Sequence, residues 1–147
     1  MTDLLRRSMA PISDKAWAEI DAQAKRTLAG NLSGRSLVDF SGPHGWEFGA
    51  VNLGLLKIPE GDGARSTPWG LRQVLPLVEI RIPFTLKIWE LDNVDRGAKA
   101  PDLDALIGAA RKIAGFEENA VYQGLPAAGI EGLIPASSHK PVALPKT

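Results

Sequence analysis

The chain has 147 residues, 44% hydrophobic and 23% charged, which suits one globular domain rather than two or a disordered polymer. Its 17 basic and 17 acidic residues cancel, so it lacks the basic excess that an electrostatic nucleic-acid binder or a polybasic membrane-surface protein requires. It has no cysteine, which excludes disulfides, a thiol nucleophile and thiolate metal sites, and no apolar run near the roughly 18 residues of a membrane span.

Met1 to Pro11 carries two arginines but no apolar core, unlike a secretory signal. A helix is expected next. Ser13 is a candidate N-cap, Asp14 suits the positive end of the helix dipole, and Ile12 with Trp17 has the spacing of a hydrophobic staple. Trp17, Ile20, Ala24 and Leu28 share one narrow face, and Gly30 offers a stop. That face either packs on the protein's own core or forms a groove for a partner peptide.

Ser36 to Phe40 reads as a short strand, followed by a tight Ser-Gly-Pro-His-Gly turn over 41–45. From Trp46 to about Leu77 the pattern is extended around a Glu-Gly-Asp-Gly turn at 60–63, a long β-hairpin arm. An isolated two-stranded hairpin is marginal in water, so the arm needs its own domain or a neighbouring subunit to lie on.

The clearest strand signal is Val78 to Ile88. Val78, Ile80, Ile82, Phe84, Leu86 and Ile88 alternate with Glu79, Arg81, Pro83, Thr85 and Lys87. Pro83 lacks an amide donor, which predicts an edge or a bulge. Pro101 and Asp102 open a second helix that runs to about Gln123, with Gly124 as its stop. Leu103, Leu106, Ile107, Ala110, Ile113, Ala114 and Val121 form its apolar stripe. Gly108 and Gly115 within it each cost about 1 kcal/mol in helix propensity, and close approach of another backbone is the expected return. Turns and short strands follow. These elements make a poor closed core, so the chain is expected to need partners or to be part of a longer polypeptide.

Catalytic chemistry has little support. His44 and His139 have no helical ligand partners, and no nucleophile elbow or phosphate-binding glycine loop is present. Glu117 and Glu118 read as an ion-paired or emerging helix end, without a facing carboxylate. Arg81 and Trp89 share the polar face of the predicted strand, about 26 Å apart at ~3.3 Å per residue if it is straight. A guanidinium beside an aromatic face suits a flat anionic ligand such as a flavin; the same two residue types also anchor subunit interfaces.

Several segments together resemble the encapsulin (linocin-like) shell proteins of bacteria and archaea. They are Leu4-Leu-Arg-Arg-Ser-Met-Ala-Pro11 with Ala16-Trp-Ala-Glu-Ile-Asp21, Gly34-Arg-Ser-Leu-Val-Asp39 and Gly42-Pro-His-Gly-Trp-Glu47. Pro83-Phe-Thr-Leu-Lys-Ile-Trp-Glu-Leu-Asp-Asn93, Asp95-Arg-Gly97 and Gly129-Ile-Glu-Gly-Leu133 complete the series. The resemblance implies an α+β fold, that of tailed-phage major capsid proteins. Residues 1–45 would form an N-terminal arm and lumen-facing helix, 46–77 the extended E-loop, 78–135 the peripheral-domain strand and spine helix, and 136–147 the start of an axial domain.

By the same resemblance the chain is a non-enzymatic shell subunit that assembles in many copies into an icosahedral nanocompartment in the bacterial cytoplasm. It would enclose a peroxidase or ferritin-like cargo through a C-terminal targeting peptide, with neither nucleic acid nor membrane as partner. Ile20, Ala24 and Leu28 would line the cargo-peptide groove, with Arg35 and Asp39 at its edge. No cofactor is required; some members bind flavin on the exterior through a tryptophan and an arginine that match Trp89 and Arg81. Members of the family are much longer. The chain is therefore expected to be half of a split subunit completed by a second chain, or a truncation, and not to fold stably alone. A phage-type capsid protein and a flavin-binding redox protein are the alternative functions.

Overall fold

Ser13 starts the first helix as its chemistry predicts. In the computed structural model, which describes residues 6–59, 67, 69–140 and 142, its Oγ accepts the Ala16 amide at 3.1 Å. The same hydroxyl donates to Asp95 Oδ1 at 2.7 Å. Helix α1 spans Asp14–Ala29, and Ile12 and Trp17 both pack against the core it joins, as a staple should. Arg7 stacks on the Trp17 ring at 4.7 Å and binds Asp21 through two nitrogens at 2.8 and 2.7 Å. This clasp holds the preceding segment on α1 through one planar guanidinium.

The chain divides into two compact units. The first comprises Met1–Ser33 and Ile80–Glu117, the second Gly34–Glu79 and Glu118–Thr147.

The core of the first unit joins α1 to α2, Ile88–Asp95, and to the start of α3, Asp104–Gln123. Ala16, Ile20, Leu91, Leu103 and Leu106 form it, with Trp17, Ala24 and Leu86 packed around. It is thin, because four of the nine buried apolar residues among those described are alanines. The buried stripe of α1 is rotated from the expected one. Ala16 and Thr27 are buried, whereas Ala24 and Leu28 sit half-exposed at its margin. Thr27 tolerates burial because its hydroxyl donates to the Gln23 carbonyl at 3.0 Å and accepts from Gln23 Nε2 at 3.2 Å.

The segment Val78–Ile88 is not a paired strand. Residues 77–87 carry no ladder, and Ile88 opens α2 instead. A strand needs a partner strand to receive its backbone groups, and no described strand pairs with this segment. Alternation persists in part: Ile80, Ile82 and Leu86 are half-buried, while Arg81, Pro83, Thr85 and Lys87 are exposed. The expected strand at Ser36–Phe40 is also absent. Gly34–Ser36 forms a single 3-10 turn, and 37–40 join no strand among the described residues.

The second helix is the α3 that the pattern predicts, and Gly124 ends it at φ +86°, where a side chain would be strained. Its glycines differ from expectation. A Cβ at Gly108 or Gly115 would meet nothing within 4 Å, so among the described residues no backbone outside the helix comes close. Gly108→Ala and Gly115→Ala should therefore each stabilise the isolated chain by about 1 kcal/mol, read from its denaturant midpoint. If assembly fails in variants that gain this stability, a neighbouring subunit uses the space.

In the second unit, β1 (Ala50–Lys57) pairs antiparallel with β2 (Leu71–Pro76), where the hairpin is expected. The 60–63 turn lies outside the described residues, as do 1–5 and 143–147. The register shifts by a bulge between Asn52 and Leu56. Gly54 turns there at φ +71°, its amide held by Asn52 Oδ1 at 2.8 Å. Two short strands, β3 (Gly124–Leu125) and β4 (Ile130–Glu131), pair beyond α3, and a four-residue helix α4 (Leu133–Ala136) follows.

Candidate functional site

The five residues assigned to a peptide groove divide between the units. On α1, Ile20 is 8% exposed and belongs to the core. Ala24 packs against that core from its margin, and Leu28 is half-buried one turn on. The apolar surface that α1 leaves partly uncovered is thus centred on Ala24 and Leu28 rather than on Ile20.

In the second unit, the Arg35 guanidinium lies 4.5 Å from the Phe40 ring centroid. Asp39 lines a cavity of about 430 Å³ with Phe40, Ser41, His44, Phe48 and Val51. Ser41 Oγ and His44 Nε2 are 2.8 Å apart, and the His44 ring packs on Phe48 at 4.6 Å. Ser41 and His44 are three residues apart in one exposed turn, and among the described residues no carboxylate orients the imidazole. The pairing shapes the loop and does not make a catalytic triad.

Gly34 is fixed at the start of this unit. Its amide donates to Glu118 Oε1 at 2.7 Å, and a Cβ there would lie 3.0 Å from Val121 Cγ1. Glu118 is therefore an acceptor for a buried backbone turn. No local pattern could reveal a contact between residues 84 apart.

Trp89 and Arg81 are both exposed in the first unit, but not on one strand. Trp89 occupies the first turn of α2 and is 65% exposed, so the straight-strand spacing does not apply. The cation beside Trp89 is Arg96, whose Nη2 donates to the Trp89 carbonyl at 3.3 Å and to Asn93 Oδ1 at 2.7 Å. Sequence reading missed it because the seven-residue spacing, two helical turns, is visible only once α2 is known.

Among the described residues, no group of three or more His, Cys, Asp or Glu could hold a metal ion. No described helix is long and apolar enough to cross a membrane.

A family model described as "encapsulating protein for peroxidase" matches residues 1–147. The type 1 encapsulin shell protein of Rhodospirillum rubrum is 45% identical over 99% of this chain and 53% of its own length. That of Mycolicibacterium paratuberculosis is 43% identical over 96% of this chain and 53% of its own. A diheme-cytochrome–encapsulin shell fusion protein of Kuenenia stuttgartiensis is 26% identical over 86% of this chain. The chain spans about half the length of the type 1 shell proteins it matches. From the full-length family match and these identities, the chain belongs to the linocin-like encapsulin family of shell proteins.

Proposed function

We propose that this chain is a structural, non-catalytic shell subunit of an encapsulin nanocompartment with the tailed-phage capsid fold, closing in many copies around a cargo enzyme in the bacterial cytoplasm. The observation that carries the reading is the β1–β2 arm. It is a regular antiparallel pair, yet Val51, Leu53, Leu55, Leu56, Leu71, Val74 and Leu75 are all exposed on it. A two-stranded pair with that surface is stable only when something covers it, and neighbouring subunits of a shell do so. On this reading 46–77 is the E-loop, 1–45 the arm and lumen-facing helix, 78–135 the peripheral domain with α3 as spine, and 136–147 the start of the axial domain. Electron micrographs of this chain co-produced with the remainder of a relative's shell protein should show closed particles. Small soluble species alone would overturn the reading.

The cargo-peptide groove is part of this proposal, with Ala24 and Leu28 as its apolar wall on α1 and Ile20 beneath; the resemblance also assigns it Arg35 and Asp39, which belong to the second unit. The half-exposure of Leu28 supports it, since an apolar side chain at a helix margin has area left to bury. Leu28→Asp should reduce cargo co-purification at least about tenfold while particles still form, because an uncovered carboxylate costs more than 1.4 kcal/mol in an apolar groove. Unchanged cargo content would remove Leu28 from the groove.

A flavin on the exterior is a second reading, supported by the exposed Trp89 ring with Arg96 against its backbone and Arg81 in the same unit. An exposed indole can stack on a flat ring system and a guanidinium can hold a phosphate. Particles incubated with FMN and desalted should retain the flavin absorbance band, and Trp89→Ala should lose it. A wild-type sample without the band would dispose of this reading.

A further inference from the structure

Arg7 lies over the same strip of α1 that Ala24 and Leu28 continue. At about 100° per residue, Trp17, Asp21, Ala24 and Leu28 fall within about 60° of one another, roughly 90° round the helix from the buried Ala16, Ile20 and Thr27. The Arg7 guanidinium covers one face of the Trp17 ring at 4.7 Å and grips Asp21 at 2.8 and 2.7 Å. The segment before α1 therefore occupies the N-terminal half of the strip and leaves the other half, Ala24 and Leu28, partly uncovered. At about 1.5 Å per residue that uncovered length is about 6 Å, and lifting Arg7 extends it to about 16 Å. An extended peptide, at ~3.3 Å per residue, would then find room for about five residues instead of two.

The hold is weak. The Arg7 and Asp21 side chains remain 36% and 53% exposed, so water and salt screen their ion pair. A cation–π contact at the surface is likewise small. Against both stands Arg6, kept left-handed at φ 47°, which costs a non-glycine residue a comparable amount. Trp17 Nε1 is buried with no acceptor among the described residues, so the closed arrangement also leaves a donor unmet. Small contacts set against these costs leave closed and open arrangements close in energy.

We propose that Arg7 is a latch, an autoinhibitory contact that keeps the Trp17 end of the α1 strip closed until an apolar peptide displaces it. What displaces it rests on the cargo-peptide reading; the latch itself rests on the Arg7, Trp17 and Asp21 geometry. A latch closed about four-fifths of the time weakens the peptide's apparent affinity about fivefold.

The probe is a fluorescein-labelled synthetic peptide with the C-terminal sequence of a peroxidase, the cargo for which the family is described. It is titrated by anisotropy into the full 147-residue chain, and the Trp17 indole N–H resonance, assigned through Trp17→Phe, is followed in parallel. Arg7→Ala and Asp21→Asn should each tighten Kd about fivefold, and the two together should do no more, because both open one latch. Raising the salt concentration should narrow the difference from wild type. The chain has no cysteine of its own, so Arg7→Cys with Asp21→Cys can be joined by a short bis-maleimide. The joined form should bind at least about tenfold more weakly than the same variant capped at each thiol.

Weaker binding by Arg7→Ala would make Arg7 part of the peptide's wall and overturn the latch. Equal affinity in every variant would overturn it while leaving the groove reading intact. If no variant binds the peptide, the groove reading fails, and the indole resonance decides the latch. A resonance that moves alike in Arg7→Ala and Asp21→Asn, and in wild type as salt is raised, would uphold the latch; one that moves in neither variant would overturn it.

Discussion

Gly132→Ala should unfold the end of α3 and the β3–β4 pair, at a cost of roughly 3 kcal/mol or more, although the residue carries no side chain and touches no ligand. A Cβ at Gly132 would fall inside contact distance of the Gly124 amide nitrogen and the Gln123 carbonyl carbon, and 2.7 Å from the Tyr122 carbonyl oxygen. Gly124 faces the same crossing from the other side, where its own Cβ would lie 2.7 Å from the Gly132 nitrogen. All of these are backbone atoms. A flexible side chain can swing away from an added methyl group, but here the helix end and the hairpin would have to separate. Gly129→Ala is the control. It sits at φ +69° with nothing within 4 Å, so it costs only the left-handed penalty of about 1 kcal/mol. The thermal midpoint should fall on the order of 10 °C for Gly132→Ala and only a few degrees for Gly129→Ala. Equal shifts would mean that the crossing relaxes freely. The comparison also gives a physical reason for the Gly-Ile-Glu-Gly run at 129–132: one glycine serves the turn and the other lets two backbones touch.

What could be read from the sequence was local chemistry. Ser13 and Gly124 bound α1 and α3 because a cap hydroxyl and a left-handed glycine act on their own neighbours. The hairpin was legible for the same reason. What escaped was set by distance or hidden by a pattern. Helix α2 has only eight residues, and the strand alternation runs on to Ile88, which masked the Leu91–Val94 spacing that buries both residues. With α2 unseen, Trp89 was placed on a strand and Arg96 was overlooked. On α1, counting apolar types pointed to Trp17, Ala24 and Leu28, while burial went to Ala16 and to a threonine that bonds to Gln23. The α1 face was thus legible as apolar, but not how it divides between core at Ile20 and margin at Ala24 and Leu28. Nothing local foretells the Glu118–Gly34 contact.

Replacing Leu55, Leu56, Ile58 and Leu71 together with serine should abolish particle formation and leave the chain's own unfolding within about 0.5 kcal/mol of wild type. The two effects separate because these side chains are 58%, 62%, 66% and 62% exposed, so the chain alone gains little from them. In a shell their remaining area is the apolar surface on offer. At about 25 cal/mol per Å², covering each adds on the order of 1 kcal/mol or more, and the four together about 4 kcal/mol per arm. That corresponds to about a thousandfold in the concentration needed for each contact, and every subunit contributes an arm to the closed particle. A core substitution behaves in the opposite way. Leu106→Ala, at a site 4% exposed, should cost about 2–5 kcal/mol in the chain itself and remove particles only by unfolding the subunit. Native mass and a denaturant midpoint on the same samples distinguish the cases. Particles that persist with all four serines would mean the arm does not hold the shell together. A large fall in the chain's own stability would mean the arm is covered within its own subunit, and the contacts between copies would then have to come from other exposed apolar residues such as Phe40, Trp46 and Trp89.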